Sequence, residues 1–216
     1  MSANTVINRV INGDRYRLQP AMDGKTREIV YSLRYSAYLD AEAIEPNDSG
    51  LFEDEFDNQP NCINHLLTRN GVTVAAIRSC YVSADRQTRS LGYLNYSEEI
   101  ERVCASNSIV ESNRFVVEPE FDRLPLEAYI LLFAAILEHR NTTGARFVMT
   151  AVRPKHIGLY KRLLNFSPWS PERVYPGLKV PMVLLGGDYH TDGETVISNI
   201  PKLLVSREER DVHAEA

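Results

Sequence analysis

Charged residues placed where apolar ones belong give the first chemical signal in this sequence. Arg34 follows Val30 by four residues and precedes Tyr38 by four, so it shares a helical stripe with the apolar Ile29, Val30, Leu33 and Ala37. Arg78 lies in an apolar strand run, with Ala76 and Cys80 as its same-face neighbours. Glu111 and Arg114 interrupt IVESNRFVV, whose other positions are largely apolar. An unpaired buried charge is costly, so each of these must find a partner. The nearest rich supply is Asp54 and Asp57 in FEDEFD. The expectation is a partly buried network in which Arg34, Arg78 and Arg114 bind Glu111, Asp54 and Asp57. Such a network shifts ionisation equilibria, as a site that moves protons and holds a polar substrate requires; it also serves the purely structural purpose of locking a loop onto a sheet. A two-residue period puts Glu111 and Arg114 on opposite faces. Their convergence therefore requires a β-bulge between them, or separate partners.

The elements that must position these groups follow from periodicity and turn chemistry. RYRL at residues 15–18 alternates as a short first strand. A helix is predicted over residues 25–43, started at Asp23-Gly24, and a turn-rich loop follows. Residues 64–69 and 72–82 form strands around Asn70-Gly71, a hairpin dipeptide because both positions tolerate positive φ. A polar helical stretch over 91–105, a strand over 109–117 and a long apolar helix over 125–139 come next. The remainder is a buried strand over 146–152, a helix over 154–165 opened by Pro154, and strands near 173–175 and 180–185 before a Gly186-Gly187 turn. This order predicts a mixed α/β sheet with helices on both faces. It fits one domain over residues 1–205 and a charged tail, SREERDVHAEA, over 206–216.

Bulk properties exclude several classes. With 44% hydrophobic and 25% charged residues among 216, the composition is that of an ordinary globular chain. No apolar run approaches the roughly 20 residues of a membrane span, and MSANTVINRVINGD lacks a secretory core, so cytoplasmic residence is expected. Cys62, Cys80 and Cys104 are odd in number and widely spaced, which predicts core thiols rather than a disulfide framework or a zinc site. His65, His139, His156, His190 and His213 form no metal spacing, and no metal is expected. The net charge of −5 argues against general nucleic-acid binding. That charge is segregated: no Lys or Arg falls between Arg34 and Arg69, and no Asp or Glu between Glu138 and Glu172. The two blocks suggest a polar site and an anion-seeking surface, or else two solvated faces.

LRYSAY (residues 33–38), FEDEFD (52–57), AAIR ending at Arg78, and VESNRFVV (110–117) stand in the order of the signature motifs of the autoinducer synthase family. The chain resembles the acyl-homoserine-lactone synthases and, more closely, the long-chain N-acyl amino acid synthases, which are bacterial enzymes. The resemblance covers residues 33–117 by motif and the rest by element order. It implies a GNAT-like acyltransferase fold, a mixed, mostly antiparallel central sheet flanked by helices in a single domain. It also implies substrate-binding roles for Arg34, Tyr38, Asp54, Asp57, Arg78 and Arg114, with Glu111 among them. One departure matters. The lactone synthases carry a Trp after the early helix that shapes their site for S-adenosylmethionine, whereas residues 39–51 here contain none and the single Trp is Trp169. This favours a free amino acid as acceptor.

The implied reaction is attack of an amino acid's α-amine on a long-chain acyl thioester. Glu111 is the candidate general base. Backbone N–H groups beside the splayed fourth strand, around Phe115 and Val117, are candidates to hold the oxyanion. Tyr160 stands where GNAT enzymes place a proton donor for the leaving thiolate, or else is a core tyrosine. CoA-dependent relatives follow this strand with a glycine-rich pyrophosphate loop. Here the place is EPEFDRLPLEA, with no glycine and with Glu118, Glu120, Asp122 and Glu127. The expected donor is therefore acyl carrier protein, which supplies its own 4'-phosphopantetheine, so that no further cofactor is needed. Arg153, Lys155, Lys161 and Arg162 would receive this acidic partner, or form an ordinary solubilising face. Leu131, Phe133 and Ile136 would wall an acyl tunnel or, more simply, fill the core. Two rival functions remain: lactone synthesis from S-adenosylmethionine, and a non-catalytic acyl-binding module of the same fold.

Overall fold

The computed structural model describes residues 6–190 apart from Asp122 and Pro176; the tail predicted over 206–216 lies outside the described residues, as do residues 191–205 of the predicted domain. Two Asn-Gly dipeptides organise the first half. β1 (Ile7–Ile11) turns at Asn12-Gly13 into β2 (Asp14–Pro20), and β3 (Cys62–Arg69) turns at Asn70-Gly71 into β4 (Val72–Val82). The turn residues have φ of 53° and 85° in the first hairpin and 51° and 86° in the second. Positive φ at both positions matches the twist of the flanking strands. The sequence analysis missed β1, so its first strand is the second observed, although Asn12-Gly13 carries the same signal as Asn70-Gly71.

Between the hairpins runs α1 (Gly24–Asp40). Asp23 caps it by accepting from the Thr26 backbone N–H at 2.8 Å, while the Thr26 hydroxyl accepts from the Asp23 N–H. The helix stops short of residue 43 because the chain reverses at Glu42, whose φ is 52°. The polar stretch after β4 is two helices, α2 (Leu91–Asn95) and α3 (Ser97–Cys104), split at Tyr96, whose ring is buried. β5 (Ile109–Val117) is followed by α4 (Leu126–Thr143), which ends at Gly144 with φ of 67°. β6 (Phe147–Val152), a 3₁₀ turn (Pro154–His156), α5 (Ile157–Leu164), β7 (Ser167–Pro168), β8 (Arg173–Val174) and β9 (Pro181–Asp188) complete the described chain.

The main sheet has the order β1-β2-β3-β4-β5-β6-β9-β7, with β8 beside β9. Among the described residues β5 and β6 form the single parallel pair, and the other ladders are antiparallel. This is the mixed, mostly antiparallel α/β sheet that was expected. Alternation along β4 divides the core. Ala75 and Ile77 join the α4 side with Tyr16, Leu18 and Val110, whereas Ala76 joins Val30 and Leu33 of α1. α4 is apolar all round, as a helix buried on most sides must be. Leu131, Phe133 and Ile136 are core residues, each at most 1% exposed.

Two expectations need correction. Cys62 and Cys80 are not separate core thiols: they face each other across β3 and β4, Cα atoms 4.1 Å apart, and form a disulfide. A register shift between Leu67 and Thr68 brings them opposite each other; an unbroken ladder from the two-residue turn would pair Cys62 with Ser79. Cys104 is free and buried, as expected. Gly186-Gly187 is not a turn either, since β9 runs through both. These glycines serve close packing: a Cβ on Gly186 would overlap the Trp169 indole, and one on Gly187 would press on the Phe166 ring at 3.2 Å. Gly186→Ala should therefore lower the stability measured by urea denaturation by about 1–3 kcal/mol, the cost of overpacking, with an altered Trp169 emission spectrum reporting the displaced ring.

Candidate active site

FEDEFD folds so that its inner acids turn toward the sheet while Glu53 and Glu55 stay exposed. Asp54 and Asp57 brace each other: the Asp54 N–H donates to Asp57 Oδ2 at 2.9 Å, and Asp54 Oδ1 accepts from the Phe56 N–H at 2.9 Å. Onto this brace converge three guanidiniums. Arg34 of α1 and Arg78 of β4, both 0% exposed, reach Asp57 Oδ1 at 2.7 and 2.9 Å. Arg78 also meets both oxygens of Asp54 at 2.6 and 3.0 Å, and Arg114 meets Asp54 Oδ2 at 2.7 Å. Both alternatives the sequence left open are realised: Glu111 and Arg114 take separate partners, and a bulge lies between them. Ala76 pairs with Val116 but Arg78 with Asn113, and Arg114 within the bulge takes a φ of 52°. It thereby swings onto the Arg78 face, its guanidinium 4.8 Å from the Phe52 ring centre. Burial opposes ionisation of Asp54 and Asp57, but the arginines outweigh it and hold both carboxyls below the usual range.

Glu111 departs from the expectation. It makes no ion pair with the arginines. Its carboxylate accepts from the Gly92 N–H at 2.9 Å and the Asn113 side-chain amide at 2.8 Å, and the Ser90 side chain also hydrogen-bonds to it. The reason is geometric: in the β4–β5 register Glu111 lies opposite Cys80, and Asn113 takes the place opposite Arg78. Gly92 must be glycine, because a Cβ there would stand 2.6 Å from the carboxyl group. Burial pushes the Glu111 carboxyl above its ordinary value, against the donors and Arg78. Tyr175 lies in the fields of both Glu111 and Arg114, and burial raises its phenol as well.

On the other side of Arg114 the sheet opens. The β5–β6 ladder ends at Ser112 and Thr150, while Ala151 and Val152 continue to pair with β9. Beyond that point β5 and β6 separate around a cavity of about 350 Å³, within the range of small-ligand pockets. Phe115, Val117, Tyr129, Val152, Leu159 and Met182 give it apolar walls, and Tyr38 and Tyr160 supply phenols. Tyr160 is buried with Thr150 in hydrogen-bonding reach, and burial raises its pKa, so the phenol stays protonated. Network and cavity meet here: Tyr38 lines the cavity and packs edge-on against Phe52, the ring beneath Arg114.

Arg34, Tyr38, Asp54, Asp57, Arg78, Arg114, Phe115, Val117 and Tyr160 thus all fall in the network or on the cavity wall, whereas Glu111 is sealed behind them at 0% exposure. Arg153 lines the cavity, while Lys155, Lys161 and Arg162 are exposed on the adjoining 3₁₀ turn and α5. Sequence reasoning missed Asn64, whose amide donates to Asp57 at 3.2 Å and which also accepts from Arg34. It missed Asn113 and Gly92 too. Asn64 stands opposite Arg78 only because of the β3 register shift, which no residue type announces. Asp57→Asn should leave Arg34 and Arg78 short of countercharge and lower stability by about 3–5 kcal/mol in urea denaturation. Because both aspartates titrate below their unfolded value near 3.8, their contribution is full above about pH 4 and is lost as pH falls through the folded values. Acid unfolding of D57N should accordingly be less steep than that of the wild type.

A sequence profile described as N-acyl amino acid synthase FeeM matches residues 29–188. No curated protein sequence matches significantly. Among solved structures, FeeM, an N-acyl amino acid synthase from uncultured soil microbes, aligns at 17% identity and a TM-score of 0.68, covering 82% of this chain and 93% of its own. BjaI, a CoA-dependent acyl-homoserine lactone synthase, aligns at 14% and 0.56, covering 85% and 88%. The GNAT domain of S. lividans PAT aligns at 13% and 0.53, covering 85% and 96%. At these identities the structures establish a GNAT-like fold, and the profile spans most of the chain. The protein is an acyltransferase and belongs to the FeeM family of N-acyl amino acid synthases.

Proposed function

We propose that this acyltransferase joins a long-chain acyl group, delivered as an acyl carrier protein thioester, to the α-amine of a free amino acid. The observation that carries this reading is the meeting of an apolar cavity, opened where β5 leaves β6, with a buried Arg–Asp network at Tyr38 and Arg114. The apolar side takes the acyl chain and the polar side the acceptor. The family match supports amide formation, and the absence of Trp from residues 39–51 favours an amino acid over S-adenosylmethionine.

The amine nitrogen attacks the thioester carbon. The resulting oxyanion is held by backbone N–H groups on the stretch of β5 past Ser112, which has no ladder partner on its β6 side. Collapse breaks the carbon–sulfur bond, the Tyr160 phenol donates a proton to the departing thiolate, and the amine proton passes to Glu111. Because Glu111 is fully buried, that transfer is a relay. The phosphopantetheine arm arrives on the carrier protein, and the protein needs no cofactor of its own. Support for the carrier protein over CoA comes from Glu118, Glu120 and Glu127 after β5, which repel a pyrophosphate, and from the cationic edge formed by Arg153, Lys155, Lys161 and Arg162. No helix among the described residues is long and apolar enough to cross a membrane. The proposed compartment is the bacterial cytoplasm.

Purified protein given long-chain acyl carrier protein and a mixture of free amino acids should form an N-acyl amino acid by mass spectrometry. Release of methylthioadenosine from S-adenosylmethionine would instead establish the lactone reaction. Glu111→Gln should reduce turnover about 10²–10⁴-fold; equal turnover by the variant would remove Glu111 from the mechanism. Since a base must be ionised and burial raises Glu111, activity should fall with decreasing pH above the ordinary carboxylate range. Lys155→Glu combined with Lys161→Glu should raise KM for the carrier-borne donor and flatten its salt dependence, while sparing a short acyl-pantetheine donor.

A further inference from the structure

We infer that Asn113 is a positioning residue for proton uptake: its side-chain amide, held in one orientation by Arg78, presents the Glu111 carboxylate as an acceptor. The inference rests on the reading of Glu111 as the base. A guanidinium has only donors. Arg78 Nε donates to Asn113 Oδ1 at 2.8 Å, so the amide oxygen must face β4 and its NH₂ group must face the other way. There it donates to Glu111 Oε1 at 2.8 Å. The Gly92 N–H donates to Oε2 at 2.9 Å, so each carboxylate oxygen meets a fixed donor. A proton arriving on either oxygen weakens the bond that oxygen accepts.

The surroundings leave Asn113 without an alternative. Arg78 and Glu111 are 0% exposed and Asn113 is 7% exposed, so water does not substitute for a lost bond. The titratable and charged groups that act on Glu111 are Arg78 from β4, Tyr96 from the α2–α3 junction and Tyr175 from the segment after β8; its β6 neighbour, Met149, is apolar. Three guanidiniums share only two aspartates, so the network carries one positive charge in excess. Asn113 is the hydrogen-bonded link between that excess and Glu111. It orients and stabilises the carboxylate without touching substrate.

The test uses Asn113→Leu, which keeps roughly the side chain's shape and adds no charge but offers Glu111 no donor. Asn113→Ser serves as a second variant. The acid limb of the kcat/KM profile should move to higher pH by about one unit in N113L, the effect of one hydrogen bond to a charged group, with KM for the acyl donor unchanged. The readout independent of turnover is the Glu111 carboxyl titration, followed by NMR in protein with ¹³C-labelled glutamate. Its midpoint should rise in both variants. In the wild-type protein the Asn113 side-chain amide resonances should titrate with that same midpoint, which decides the matter even if neither variant folds. A Glu111 midpoint unmoved by N113L, or wild-type Asn113 resonances indifferent to it, overturns the inference. If the midpoint moves as expected while E111Q turns over normally, the base assignment fails and the Asn113–Glu111 coupling stands.

Discussion

Everything at the centre of this molecule depends on two arginines that have no access to water. Arg34 and Arg78 lie on the α1 face of the sheet at 0% exposure, and one oxygen of Asp57 serves both. Removing either partner leaves a buried charge uncompensated, so the ionic contact dictates where the FEDEFD loop must sit. The loop in turn fixes Phe52 under Arg114 and beside Tyr38, which decides what the cavity meets on its polar side. A hydrophobic replacement of comparable volume would hold the loop as well. What it would lose is the charge pattern, and that pattern is the reason to regard the network as part of a site rather than as a fastening.

Two local departures from regular β structure make the arrangement possible. The shift in β3 sets Asn64 opposite Arg78 and Cys62 opposite Cys80. The bulge in β5 turns Arg114 to the face of Glu111 and Asn113, and the β6 ladder ends just before it. A regular strand would have sent Arg114 toward α4, away from Asp54 and Phe52. A left-handed φ at a residue other than glycine is unfavourable by roughly 1 kcal/mol or more, and the contacts of Arg114 with Asp54 and Phe52 hold it there.

Much of this was legible in the residues. Charges out of pattern pointed to Arg34, Arg78 and Arg114, and FEDEFD supplied their partners, because burying charge has few solutions. That Glu111 and Arg114 needed either a bulge between them or separate partners followed from the two-residue period alone. The sequence could not show that Glu111 would be excluded from the ion pairs. Its position relative to Arg78 depends on inter-strand register, which is a property of two segments together and is written in neither. The same limit hid Asn64, Asn113 and the Cys62–Cys80 pair. Gly186-Gly187 misled for a different reason: glycine signals both a turn and a close approach, and only the Trp169 ring, 17 residues earlier in the chain, distinguishes them.

The N-terminal hairpin has a consequence for how this protein is cut and handled. The recognised family span opens at residue 29, inside α1 rather than at its Asp23 cap. Yet Ile11, Tyr16 and Leu18, which lie ahead of that point, are packed into the α4 core, and β2 shields the backbone edge of β3. A fragment trimmed to the homologous boundary would carry an uncapped half-helix, a hole under α4 and a bare strand edge open to pairing with other chains. The folding unit is larger than the stretch that kinship reveals, and the surplus braces the site from outside, the Ala21 N–H reaching the Asn64 carbonyl.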